Sequence, residues 1–276
     1  MNSIKIRLNK MVYIQKGIEA LKDLKYSIGA KFYCPVCDRY INHFLPLPEF
    51  YSLNAKKYDY RYNMEQAETL NYHSYSCPVC GASDRDRLCA LYLQTYFAKI
   101  KNEEKTSIID IAPSAPLSRY IRKIIAASKL NVSYRTADME MAGVDDKIDI
   151  LNMWLYNNNQ FDFFICSHVL EHVPDDHKAL SELHRILKPG GTGILMVPII
   201  LGLEEIDEDP FETDESERWR RFGQHDHVRL YSKEGFMNRA RDAGFFIYQY
   251  GKEHFGEKLF TRCGIASQSV LYVMEK

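Results

Sequence analysis

Hydrophobic residues are spaced differently in the two parts of this chain. Near its start, Met11, Val12, Ile14, Ile18, Leu21 and Leu24 recur at helical spacing with lysines between them. That pattern predicts an amphipathic helix packed on the body of the protein. A helix lying on a membrane surface is the rival reading, and no lipidation signal accompanies it. Residues 32–81 keep no clear period and are rich in aromatics and turn formers, as in a small module stapled by a metal. Ser83 to Lys99 then reads as a helix, with a Ser cap and with Leu88, Leu91, Tyr92, Tyr96 and Phe97 on one face.

From Ser107 onward, strands and helices alternate. Ser107–Ile111, Val132–Thr136, Phe161–Ser167 and Gly193–Val197 are short apolar strands; Leu117–Ala127, Asp176–Leu187 and Lys233–Ala243 are helices. The second of these helices is stopped by Pro189-Gly190-Gly191 and the third by Gly244, and strands over Phe245–Tyr250 and Ser269–Met274 complete the series. Such alternation implies a parallel sheet covered on both faces. The division that follows is a helical segment over 1–31, a cysteine module with its linking helix over 32–100, and an α/β domain over 101–276.

Composition narrows the function classes. With 276 residues, 46% hydrophobic and 26% charged, the chain can bury an ordinary core and is not disordered. It has no apolar run of membrane-spanning length and no signal-peptide core, so a cytoplasmic location and no membrane partner are expected. In a reducing compartment, seven cysteines point to metal binding before disulfides. Residues 1–100 hold 14 Lys/Arg against 9 Asp/Glu and the remainder 22 against 28, a basic excess too modest to announce a nucleic-acid binder.

Cys34-Pro-Val-Cys37 and Cys77-Pro-Val-Cys80 are two copies of one knuckle, 39 residues apart. Two such turns facing each other supply the four thiolates that Zn2+ prefers. With every ligand slot filled by cysteine and none left for water, a structural zinc site is expected; a redox CxxC is the alternative. Cys89, Cys166 and Cys263 are isolated and read as small apolar packing residues. Nine aromatics lie between the knuckles, including Tyr58, Tyr60 and Tyr62. They could stack on bases, but 4 basic residues against 5 acidic ones make no electrostatic funnel, and core packing is preferred.

The stretch from Phe161-Asp162 through Ser167-His168-Val169-Leu170-Glu171-His172-Val173-Pro174 to Leu183-His184-Arg185-Ile186-Leu187-Lys188-Pro189-Gly190-Gly191 resembles the class I S-adenosylmethionine-dependent methyltransferases. The likeness covers the chain from Ser107 to its C-terminus. The run Cys77-Pro-Val-Cys-Gly-Ala-Ser-Asp-Arg-Asp-Arg-Leu88 is similar to a subgroup in which a cysteine ribbon precedes that domain. The resemblance implies a Rossmann-like fold, with a seven-stranded, mostly parallel sheet and helices on both faces. It implies S-adenosylmethionine as cofactor, S-adenosylhomocysteine as product, and a site at the carboxyl edge of the sheet. It places the first-strand turn at Asp110, Ala112 and Ser114, where the family's three glycine positions read Ala112, Ser114 and Pro116. Asp138 matches the acid that holds the ribose hydroxyls, Asp149-Ile150 the adenine-binding pair, and Ser167 with His168 lies near the sulfonium.

The segment at about 199–229 is a candidate lid over the acceptor pocket. It carries nine acidic residues within 204–217, then Arg218-Trp219-Arg220-Arg221-Phe222 and Gln224-His225-Asp226-His227-Val228-Arg229. A base for a hydroxyl acceptor is sought first at His227, then at His168 and His225. His225 and His227 with Asp226 could instead hold a metal. His168-x-x-Glu171-His172 also fits an inverted zinc-protease pattern, but a strand runs into it and Pro174 follows, so His172 reads as structural. The acidic run would repel a polyphosphate, which favours a small-molecule or glycan acceptor methylated on oxygen or nitrogen. An rRNA or tRNA methyltransferase touching RNA through the ribbon, and a catalytically silent zinc-ribbon binding protein, are the alternatives.

Overall fold

The computed structural model describes residues 25–101, 103–128 and 130–276, and the helix expected over residues 11–24 lies outside them. In chain order the elements are β1 (Phe32–Cys34), β2 (Arg39–Ile41), α1 (Glu49–Lys57), α2 (Asp84–Lys99), β3 (Thr106–Ile111), α3 (Ala115–Ser128), β4 (Val132–Asp138) and β5 (Asp146–Lys147). There follow β6 (Phe161–Ser167), α4 (Asp176–Ile186), β7 (Leu187–Met196), β8 (Asp207–Glu208), α5 (Glu215–Phe222), β9 (Arg229–Leu230), α6 (Lys233–Asp242), β10 (Phe246–Tyr250), α7 (Lys252–Phe255), α8 (Glu257–Arg262) and β11 (Leu271–Glu275).

Seven strands form one sheet in the order β10-β11-β7-β6-β3-β4-β5. β3 to β7 run parallel, while β11 runs against both β7 and β10. β3 and β6 sit at the centre and carry buried apolar runs, Ile108-Ile109 and Phe163–Cys166, as strands covered on both faces do. The covering helices turn an apolar stripe inward: Leu117, Tyr120 and Ile121 on α3, and Ala179, Leu180, Leu183 and Ile186 on α4. Their starts are capped. Ser83 and Asp86 close a capping box at α2, and the Asp175 carboxylate accepts the Lys178 N–H at α4.

Two expectations move. Pro189-Gly190-Gly191 does stop α4, but it already lies in β7, where the Gly190 N–H donates to the carbonyl of Lys276 and the Lys276 N–H to that of Gly191. The tripeptide is thus a strand entry as well as a helix stop. Ahead of it, Lys188 Nζ donates to both oxygens of Asp162 at 2.8 Å, and Asp162 also accepts the Ser107 N–H. That ties the openings of β3, β6 and β7 together and explains the Phe-Asp and Leu-Lys pairs physically.

The cysteine module is not a separate bead. One hydrophobic core runs from Cys34 and Phe44 through Leu88 and Ile165 to Met274. Arg87, fully buried, fastens the module to the rest by donating to the carbonyls of Ser74, Tyr75, Ala82, Cys263 and Gly264.

Candidate active site

The strand order reverses at β3 and β6, and a cleft opens beyond their carboxyl ends. Its floor is Asp110, Ala112, Ser114, Pro116, Ser167 and His168; its far wall is Tyr75, Ser83, Arg85 and Asp86 from the start of α2 and the segment before it; its volume is about 260 Å³. The first-strand turn keeps the shape a glycine would give. Ala112 sits at φ +51, in the left-handed region, and its N–H donates to the Ala137 carbonyl. A side chain in that region costs about 1–2 kcal/mol. Asp110 is wholly buried and bonded by the Tyr134 hydroxyl at 2.5 Å; burial pushes its carboxyl up to about 7.

Further along the edge is a second, shallower groove of about 230 Å³, lined by Met139, Lys147, Ile148, Asp149, Asn152 and Trp154. Met139 and Trp154 are among the most exposed large apolar side chains of the protein, at 61% and 71%. Together they give an apolar slot beside a carboxylate, a surface suited to a flat heterocycle. Asp138 stands at the end of β4 with Oδ1 already accepting the N–H groups of Glu140 and Met141, which leaves Oδ2 for a ligand. Asp149 likewise spends Oδ1 on the Leu151 N–H. Ile148 lines this groove and Ile150 does not, although the two are about equally buried.

Next to the first cleft is an inner cavity of about 130 Å³, and Tyr75, Arg85 and His168 line both. Two insertions build this inner cavity. The segment between the knuckles supplies Leu47, Tyr51, Tyr60, Met64 and Leu70, and the segment after β7 supplies Ile199, Ile200, Phe222, Gly223 and His227. They lean on one another. Trp219 of α5 is buried, stacked on Tyr58 at 5.9 Å and edge-on to Phe50 at 5.8 Å. Gly223 ends α5 at φ +78, where an added Cβ would meet the Tyr60 ring at 3.1 Å. Of the aromatics between the knuckles, Tyr51, Tyr60 and Tyr75 wall this cavity, while Tyr60 and Tyr62 also pack against the buried cluster of Ile200, Phe222 and Leu230.

The acidic run is not an open field. Asp207 and Asp209 pair with Arg221, Glu208 with Arg229 and Arg239, and Glu217 with Arg220.

Of the three histidines singled out as bases, the structure brings two together. His168 sits at φ +59 at the end of β6, with Nδ1 at 3.0 Å from Glu171 Oε1 and Nε2 unpaired. His227 is 3% exposed, with Nδ1 at 3.2 Å from the Phe222 carbonyl and Nε2 unpaired. Burial pushes His227 down to about 4 and lowers His168, so both rings are neutral at pH 7. His225 stacks on Trp219 with its side chain about half exposed, and lines neither cavity. Arg85 carries no signal of its own in the sequence, because Asp-Arg-Asp-Arg offers two arginines with no periodic cue to which faces the cavity. Glu171 stands in the His168-x-x-Glu171-His172 pattern, whose rejection as a protease motif leaves the carboxylate without a role.

The four knuckle cysteines converge. Cys34 and Cys80 Sγ are 3.7 Å apart, Cys37 and Cys77 Sγ 3.9 Å, and all four lie within 4.8 Å of one another. A tetrahedral thiolate site with bonds of about 2.3 Å separates its sulfurs by about 3.8 Å, whereas a disulfide needs about 2.05 Å. The cluster fits a metal ion, with no bridge between its thiols.

The profile of the methyltransferase domain family matches residues 82–250. The chain belongs to that family. By family and fold it is a class I, S-adenosylmethionine-dependent methyltransferase, preceded by a four-cysteine cluster. No curated protein matches the chain. Among solved structures, this methyltransferase is similar to a chain of the complex between the Haloferax volcanii Trm112 methyltransferase activator and a methyltransferase, at 16% identity and TM-score 0.42, covering 69% of this chain and 93% of that one. It is also similar to the citrinin polyketide synthase CMeT domain (12%, TM-score 0.48, covering 73% and 54%). A third is the Haemonchus contortus phosphoethanolamine N-methyltransferase 2 with S-adenosyl-L-methionine (20%, TM-score 0.42, covering 66% and 42%). Among the described residues, no helix is long and apolar enough to cross a membrane.

Proposed function

We propose that this enzyme transfers a methyl group from S-adenosylmethionine to an oxygen or nitrogen of a small molecule that buries roughly one ring in the inner cavity. The observation that carries the reading is the adjacency of the two spaces, which have Tyr75, Arg85 and His168 in common. The methionine end of the donor would lie over Ala112, Ser114 and Ser167 beside Asp110. Its ribose would reach Asp138 Oδ2, and its adenine would lie between Met139 and Trp154, beside Asp149. The sulfonium would then face the shared wall.

The acceptor's size follows from volume: a lined cavity of ~150 Å³ takes a benzene, and this one is about 130 Å³. Its wall is mostly apolar, with Arg85, His168, His227, Thr69 and Gln224 as the polar exceptions beside the tyrosine hydroxyls. A ring bearing a hydroxyl or amino group suits that better than a bare sugar. In the step itself, the acceptor atom's lone pair forms the new bond to methyl while the S–CH3 bond breaks and its electron pair returns to sulfur. His168 Nε2, unpaired at the shared wall, would take the acceptor's proton. The four cysteines would hold one structural zinc.

Calorimetry with S-adenosylhomocysteine tests the donor half. Binding is expected in wild type and should weaken about 10–100-fold in Asp138→Ala, the loss of one or two charged hydrogen bonds. Absence of heat at millimolar ligand would leave a silent binding module. The acceptor half is tested by S-adenosylhomocysteine release over a panel of small hydroxy and amino compounds and over bulk RNA. Turnover with RNA alone would overturn it.

A further inference from the structure

Glu171 is completely buried, yet only one of its carboxylate oxygens is satisfied. Oε1 lies 3.0 Å from His168 Nδ1, whereas Oε2 is buried with no partner. Among the described residues its ion-pair neighbours within 4 Å are the imidazoles of His168 and His172, and the Arg85 guanidinium acts on it only from farther off. A half-satisfied carboxylate in the interior costs several kcal/mol unless a cation meets it. Two imidazoles stand close to this carboxylate. His227 has a buried, unpaired Nε2, and His172 Nε2 lies 3.9 Å from Glu171 Oε1. One ligand atom each from Glu171, His172 and His227 can be chosen so that all three lie within 4.8 Å of one another.

We propose that Glu171, His172 and His227 form a second metal site, distinct from the cysteine cluster, that takes a divalent transition cation such as zinc or ferrous iron. The donor set is two imidazoles and one carboxylate. Such sets suit those ions and leave a coordination position open. Each donor is also held from behind, as metal ligands generally are. His172 Nδ1 is 3.2 Å from Asp226 Oδ2, His227 Nδ1 faces the Phe222 carbonyl at 3.2 Å, and the Glu171 carboxylate is gripped by His168. With Nδ1–H given to those acceptors, both rings turn a lone pair toward the shared point. Ligand bonds of about 2.0–2.2 Å place donors about 3.4 Å apart in a tetrahedral arrangement, so the present spacing closes around an ion by shifts of an ångström or so. Of the three donors, His227 is also part of the inner cavity wall, so an ion held by it would lie next to the acceptor's space. Resting on the methyl-transfer reading, the site's role is to bind the acceptor's oxygen or nitrogen and orient it toward the donor.

Cobalt loading of the full chain tests this. The metal-free protein is titrated with Co2+, bound metal is counted by mass spectrometry, and the visible spectrum is recorded. Two cobalt ions per chain are expected. One carries intense sulfur charge-transfer bands; the other adds only weaker ligand-field bands. Glu171→Gln, His227→Ala and His172→Ala should each lose the second ion and its bands while the charge-transfer bands persist. His172 is half-exposed, so its variant remains informative if the two buried substitutions unfold the chain. One cobalt per chain in wild type overturns the proposal, as does a second ion that survives His172→Ala. S-adenosylhomocysteine calorimetry on the same samples reports the donor reading separately: a second cobalt without nucleoside binding would keep the site and remove its assigned role.

Discussion

The cleft at the sheet edge and the cavity behind it share a wall but are made in different ways. The cleft takes its floor from strand ends and the first turn of a helix, where the backbone itself is held by the ladder of β3, β4 and β6. The cavity takes most of its walls from two insertions that have no sheet to lean on and that brace each other through Trp219, Tyr58 and Phe50. A donor site built on the scaffold is fixed by the fold, whereas an acceptor site built on insertions can be reshaped without disturbing it. Substitutions should therefore separate the two spaces, except where one residue serves both.

Arg87 lines neither space but holds Tyr75, which lines both, and it should give the largest effect. Replacing it with Met leaves five carbonyls without their donor and frees the cysteine module from the segment at Cys263–Gly264. A loss of about 3–5 kcal/mol is expected in thermal or urea unfolding. A loss below about 1 kcal/mol would show that the module stands without its clasp.

Asp110 comes next and belongs to the cleft alone. Its carboxyl titrates at about 7 in the folded chain, against 3.8 for a free one. Burial is the main cause, the nearby Asp86 adds to it, and the Tyr134 hydroxyl and Arg122 oppose it. Between those values the folded state binds more protons than the unfolded, so stability falls as pH rises from about 4 to 7. Asp110→Asn should remove a few kcal/mol of that slope; an unchanged stability–pH curve would refute it.

Gly223→Ala probes the cavity alone. It places a side chain at φ +78 and against Tyr60, for an expected cost of about 1–2 kcal/mol. S-adenosylhomocysteine affinity should stay within about twofold of wild type; a large drop would mean the two spaces are not separable. Ala112→Gly is the smallest change and has the opposite sign. It releases the left-handed strain at φ +51 but gives the unfolded chain more freedom. A net gain of up to about 1 kcal/mol is expected by denaturant midpoint.

The same contrast decides what could be read in the sequence. The sheet, its cleft and the cysteine cluster rest on local signals: buried runs such as Phe161–Ser167, stops such as Pro189-Gly190-Gly191, and paired knuckles. The cavity depends on contacts between remote segments without periodicity, such as Tyr58 against Trp219 and Arg61 against Asp207. Nothing in the spacing of those aromatics distinguishes a wall from a core. Charge was legible in part. Pairing of the run at 204–217 with the arginines that follow it can be read from the sequence and occurs at Arg220 and Arg221, but the approach of Arg239 from a later helix cannot. Arg85 and Arg87, two positions apart on one helix, have separate fates, one at a cavity wall and one in the interior.

The Arg87 clasp also bears on how the chain is made. Its partner carbonyls at Cys263 and Gly264 lie 176 and 177 positions downstream, and Glu68 waits still longer for the Tyr272 hydroxyl, 204 positions away. During synthesis the knuckles can gather their sulfurs early, but the surface beneath them stays unfinished until the late strands emerge. Closure of that seam is thus a late, loop-limited event, and a nascent chain halted before Cys263 would carry an assembled metal knot on an undocked body.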